Sequence, residues 1–154
     1  MSGTIEAKVT QRFAVPPERV MEAWLDPVSV REWMAASLRS AGLSGEMGRV
    51  EIDARVGGRF AFSDFRADRE AVSWGEYRTL DMPSKLAFTW WTSPEEEEAD
   101  TSLVTLILEP AGTGCVATLF HEMDAVWEPY RARTERGWER MLAALAQWLE
   151  QSGS

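Results

Sequence analysis

The spacing of apolar and polar residues changes several times along the chain, and each change marks a new element. From Thr4 to Val15 the two kinds alternate. Ile5, Ala7, Val9, Phe13 and Val15 share one side, and Glu6, Lys8, Thr10 and Arg12 the other. A period of two with one apolar face predicts a half-buried strand. Gln11 breaks the apolar side, either as a hydrogen-bonded core group or as a polar group aimed into a cavity. Pro16-Pro17 stops the strand and can open a helix, since proline is tolerated in the first turn. Glu18 then meets the positive end of the helix dipole, and Val20, Met21, Trp24 and Leu25 supply an apolar side. Asp26-Pro27 reads as a cap followed by proline at the first helical position. It predicts a second short helix to about Met34, with Val30, Trp33 and Met34 inward. Ala35 to Gly48 has little periodicity and is expected to be the longest loop.

A series of strands follows. They are predicted at Arg49–Val56, Arg59–Phe65, Val72–Leu80, Lys85–Thr92, Ser102–Glu109 and Cys115–Met123. Gly57-Gly58 reads as a two-residue hairpin turn, Asp81–Ser84 and Pro110–Gly114 as turns, and Ser93–Asp100 (SPEEEEAD) as a solvated acidic loop. Asp124–Glu128 leads into the last element, Pro129–Glu150. There Trp138, Met141, Leu142, Leu145, Trp148 and Leu149 fall on one face of a helix roughly 33 Å long. Such a helix must bury its tryptophans and leucines against something broad. Strands joined by short turns form an antiparallel sheet. The expected fold is therefore α+β: a curved antiparallel sheet of six or seven strands wrapped on one long C-terminal helix, with two short helices after the first strand. This is a helix-grip arrangement, and it tends to leave a cavity between sheet and helix. No repeat or second domain shows in the pattern, so 1–154 reads as one domain with its core at about 4–150.

Composition narrows the function. A net charge of -9 argues against nucleic acid, whose phosphates call for clustered Lys and Arg. No apolar run is long enough to span a membrane, and the N-terminus has no secretory h-region. A lone cysteine, Cys115, forms no internal disulfide and fits a reducing, cytoplasmic setting. Eight tryptophans are many for 154 residues; they serve core packing or line an aromatic pocket. The only histidine, His121, shares a strand face with Ala117, Leu119 and Met123, and is the one side chain with the unperturbed pKa of a neutral-pH base. With one His and one Cys, no metal cluster or cofactor motif emerges, and neither a phosphate loop nor a dinucleotide fingerprint is present. Gly137, inside the long helix, calls for close approach of a strand or ligand, or belongs to packing alone.

Several local patterns occur in a characteristic order: Val15-Pro16-Pro17, Ala23-Trp24-Leu25-Asp26-Pro27, Trp33, Arg55-Val56-Gly57-Gly58-Arg59-Phe60, Gly75-Glu76-Tyr77, Leu86-Ala87-Phe88-Thr89-Trp90 and Gly137-Trp138. Together they resemble the activator-of-Hsp90-ATPase-homologue-1-like family of the START/Bet v 1-like (SRPBCC) superfamily, over roughly residues 4–150. The resemblance implies a helix-grip fold with a hydrophobic cavity but no one activity, because relatives include small-molecule binders, cyclase-like enzymes and co-chaperone domains. The expected function is binding of a small apolar or amphipathic molecule between sheet and helix. Residues expected to line the cavity are Trp24, Trp33, Phe62, Trp74, Tyr77, Trp90, His121, Tyr130, Trp138 and Met141, with Tyr77, His121 and Tyr130 orienting the ligand. A polyketide cyclase- or hydrolase-like enzyme, with His121, Asp64 or Glu76 as base, is the first alternative. An Hsp90 co-chaperone-like interaction domain is the second. A homodimer is left open.

Overall fold

The computed structural model describes residues 3–152. Strand β1 spans Thr4–Phe13, helices α1 and α2 span Pro17–Leu25 and Pro27–Ser40, and strands β2 to β5 span Met47–Ile52, Arg59–Phe65, Glu70–Asp81 and Lys85–Thr89. A short helix α3 (Pro94–Ala99), strands β6 (Leu103–Ala111) and β7 (Gly114–Asp124), a 3-10 segment (Ala125–Tyr130) and helix α4 (Arg131–Ser152) complete the order. The strands form a seven-stranded antiparallel sheet in the order β1-β7-β6-β5-β4-β3-β2, so the chain's first strand closes against its last. The fold is the α+β helix-grip arrangement that the pattern predicts.

Alternation fixes which side of each strand turns inward. Ala7, Val9 and Phe13 of β1, Val104, Leu106 and Leu108 of β6, and Cys115, Ala117, Leu119 and His121 of β7 are all buried. Against them pack Trp138, Leu142, Leu145 and Leu149 of α4, one face of the helix. Gln11 is half-buried and donates its amide N–H to the Arg12 carbonyl at 2.8 Å, so it is a bonded polar group and not a cavity lining.

Four local expectations change. Helix α2 continues to Ser40, six residues past Met34, because Ala35 and Ala36 are strong helix formers and small Ser37 extends the buried stripe of Val30, Trp33 and Met34. Its start is as expected: Asp26 accepts from the Ser29 N–H at 2.9 Å, and Ser29 holds the carboxyl below its usual range. Strand β2 ends at Ile52, and the connection to β3 is the longer turn Asp53–Gly58, in which only Gly57 takes positive φ (85°). Gly58 is required for another reason: a Cβ there would lie 2.1 Å from the Asp53 carbonyl oxygen. Finally, the acidic run is helical. Ser93 caps α3 by accepting from the Glu96 N–H at 3.2 Å, Pro94 opens it, and three glutamates sit in its first turn, where the dipole favours them. Strand β5 correspondingly stops at Thr89, and Trp91 makes an isolated bridge to Trp74.

The aromatic residues make a continuous chain through the middle. Trp24 stands edge-on to Trp33 at 5.1 Å and touches Trp138 at 6.4 Å. Trp138 in turn meets Trp90 at 5.2 Å, and Trp90 meets Phe60 and Phe62 at 5.9 and 6.3 Å. The centre of the grip is therefore packed, and open space lies to either side of Trp90.

Candidate functional site

Among the described residues, two clefts between the sheet and α4 share Trp90 as a wall. The larger, about 270 Å³, lies between the N-terminal half of α4, the 3-10 segment, strand β7, helix α3 and the segments that follow β5 and precede β6. Its walls are the rings of Trp90, Trp127 and Trp138, with Met123 beside them. Its polar groups are the hydroxyls of Thr92, Thr101, Ser102 and Thr134, the His121 ring and the carboxylates of Glu96 and Asp124. The smaller, about 150 Å³, is bordered by Met34, Leu38, Met47, Phe62 and Met141, with Asp64 and Arg66 at its polar side.

His121 is held from both ends. The Trp138 indole Nε1–H donates to Nδ1 at 3.0 Å, and Ser102 Oγ lies 2.8 Å from Nε2. An indole N–H can only donate, so Nδ1 must carry the lone pair and the ring proton sits on Nε2. Nε2–H then donates to Ser102 Oγ. The pair has the spacing of a serine–histidine dyad but the opposite polarity, because activation of Ser102 would need Nε2 to accept its proton. Protonating the ring would set a second N–H against that of Trp138. Burial also disfavours the cation, and the His121 pKa is lowered to about 4. His121 is thus a neutral donor at ordinary pH, with its only basic nitrogen occupied.

The other candidate bases are no better placed. Asp64 is bound by Arg66 at 2.7 Å and Glu76 by Arg78 at 3.0 Å, and neither is fully buried. Cys115 is buried, and its thiol is pushed up by burial and by Glu18, away from thiolate character.

Of the ten residues expected to line a cavity, His121, Trp90 and Trp138 border the larger cleft, and Phe62, Met141 and again Trp90 the smaller. Trp24, Trp33 and Tyr77 are buried in the packed core and border neither. Trp33 ties α2 to α1 by donating its indole N–H to the Ala23 carbonyl at 2.9 Å. Tyr77 lies against Phe60 at 5.3 Å, and burial, then Asp53, raises its phenol pKa above the usual value. The other two lie away from both clefts and from the core cluster. Trp74 pairs with Ala61 across β3–β4, on the face opposite Phe60 and Phe62, and donates its indole N–H to Glu97 at 2.7 Å. Tyr130 is 48% exposed and rests on Trp127 at 5.6 Å, outside both clefts. Ser102, Trp127, Thr134, Glu96 and Asp124 were not expected. Ser102 was within reach of the alternation, since stepping back by two from Leu108, Leu106 and Val104 lands on it. Trp127 was hidden in a segment that reads as a connector.

A single antiparallel sheet gripping one C-terminal helix, with clefts between them, defines the helix-grip class. Within it the chain belongs to the activator of Hsp90 ATPase homolog 1-like proteins, whose family profile matches residues 14–150. Comparison with curated protein sequences gives no match. Among solved structures, a Staphylococcus aureus protein of unknown function superposes with a TM-score of 0.77 at 16% identity, covering 99% of this chain and 97% of that one. A Chromobacterium violaceum protein gives 0.70 at 24% identity, over 95% and 96% of the two chains. An HSP90 activator from Plasmodium falciparum gives 0.52 at 24% identity, over 79% of this chain and 71% of that one. At these identities the likeness is one of fold. No helix among the described residues is long and apolar enough to cross a membrane.

Proposed function

We propose that the chain works as a single domain that binds a small amphipathic molecule in the larger cleft. The reading rests on one observation: a space of about 270 Å³ bounded by three tryptophans and carrying hydrogen-bonding groups on one side. Ligand sites have this make-up, mostly apolar walls with a few placed polar groups, and typically measure ~300–1,000 Å³. The ligand is therefore small. Its apolar part lies against Trp90 and Trp138, and a polar part reaches Thr92, Thr101 or Thr134. His121 takes the part of a positioning group that orients Ser102 and Trp138. Catalysis ranks below binding because the basic nitrogen of His121 is occupied.

Native mass spectrometry of freshly purified protein tests this, followed by thermal unfolding with the recovered compound. The expected result is a retained molecule that raises the melting temperature, and a larger rise at higher ligand concentration. A compound that stabilises the Trp138→Ala variant as well as the parent would contradict it. A second reading, interaction with Hsp90, is supported by the family and by the fold shared with the P. falciparum HSP90 activator. It expects salt-sensitive binding through the acidic surface, read by titration calorimetry at two ionic strengths.

A further inference from the structure

We infer that the molecule taken up by the larger cleft carries a positive charge: the site is built for an organic ammonium ion. This rests on the binding reading above and specifies its ligand. Trp90 and Trp138 meet at 65° with centroids 5.2 Å apart, so their rings form an aromatic corner, and Trp127 borders the same space. Ring faces attract cations, tryptophan most strongly. Glu96 and Asp124 border the same space.

The charges around the cleft are unbalanced in one direction. Three neighbouring acids are held in ion pairs, Glu97 by Arg59 at 2.8 Å, Asp100 by Arg78 at 3.3 Å and Glu128 by Arg131 at 3.0 Å, while Glu95, Glu98 and Glu122 are exposed to water and do not border the cleft. Glu96 and Asp124 have no ion-pair partner among the described residues. Glu96 accepts from the Thr92 N–H and hydroxyl, and Asp124 from the Val126 N–H, all neutral donors. Among the described residues no Lys or Arg borders the cleft, and the His121 ring is neutral. A neutral apolar occupant would strip water from two unpaired carboxylates, and an anion would be repelled by them. An ammonium group between the tryptophan faces and these carboxylates satisfies both.

The probes are three para-substituted phenols: (4-hydroxyphenyl)trimethylammonium, its neutral carbon isostere 4-tert-butylphenol, and the smaller anion 4-hydroxybenzoate. Affinities come from titration calorimetry on the full chain. The expected result is that the cation binds roughly tenfold more tightly than the isostere at low salt, and that the margin narrows as salt is added. Glu96→Gln and Asp124→Asn should each narrow it while leaving 4-tert-butylphenol unchanged. Glu150→Gln, an exposed acid at the far end of α4, should leave the margin intact. If Glu150→Gln narrows it equally, the preference belongs to the overall charge of -9 and the inference fails. Because Glu96 and Asp124 also hold local turns, the comparison of cation with isostere on the unaltered chain stands as the primary readout. Equal affinities, or preference for the anion, would overturn the inference and leave the cleft reading standing. Failure of all three to bind would remove both.

Discussion

Lowering the pH from neutral toward 4 should destabilise this protein through one identifiable side chain. His121 is 6% exposed, and its pKa falls from 6.5 to about 4 on folding. The unfolded chain takes up a proton at this residue below pH 6.5, and the folded chain only below about 4. Between those values the unfolded state binds more protons, so stability falls as the pH falls. Above 6.5 and below about 4 this group contributes no slope. The gap is about 2.5 units, and at roughly 1.4 kcal/mol per unit the loss is about 3 kcal/mol across the window. That is a large share of the ~5–15 kcal/mol that holds a typical domain together. Carboxylates titrate nearby, so the assay is urea unfolding at closely spaced pH values for the parent and for His121→Gln. The difference between the two curves isolates the imidazole, and as the only histidine its NMR signals need no assignment. The expected difference shrinks by about 3 kcal/mol from pH 6.5 to 4, with the ring proton on Nε2 at neutral pH. A flat difference, a titration near 6.5, or a proton found on Nδ1 at neutral pH would refute the reasoning.

Other substitutions separate the contributions. Trp138→Phe keeps an aromatic ring but removes the donor to Nδ1. It should cost about 1–3 kcal/mol in urea unfolding and raise the His121 pKa in an NMR titration. Trp90→Ala removes the partition between the clefts. It should lower stability by about 3 kcal/mol and increase binding of an apolar fluorescent dye. Two glycines should respond in opposite directions. A Cβ at Gly75 would lie 2.1 Å from the Thr89 carbonyl oxygen and 2.7 Å from the Phe60 ring, so Gly75→Ala should cost about 2 kcal/mol or more. A Cβ at Gly137 meets nothing within 4 Å, so Gly137→Ala should stabilise by about 1 kcal/mol in thermal unfolding.

The fold was largely readable because its two periods are clean. Alternation in β1, β6 and β7 and the stripe Trp138, Leu142, Leu145 and Leu149 in α4 set the faces, and short turns set the antiparallel order. Local boundaries were lost where small residues carried the pattern, as with Ala35, Ala36 and Ser37 in α2. The helical signals of Ser93 and Pro94 were masked by the charge that follows them. The site was only half readable. Trp74 and Tyr77 are three residues apart in one strand and cannot share a face of a regular strand, so assigning both to the cavity contained its own contradiction. The state of His121 was not readable at all. It depends on a donor from Trp138, which only the packing of α4 on β7 brings within 3.0 Å. Nor could Gly137 be interpreted, since the open space beside it belongs to the assembled fold.

The eight tryptophans make the central claim directly measurable. Each indole N–H gives its own resonance in a nitrogen-correlated proton spectrum, and Trp90, Trp127 and Trp138 border the larger cleft while Trp74 lies on the other face of the sheet. On titration with (4-hydroxyphenyl)trimethylammonium or 4-tert-butylphenol, the first three should shift in a saturable way and Trp74 should stay still. Saturable shifts at Trp74 with the other three unmoved would contradict the account.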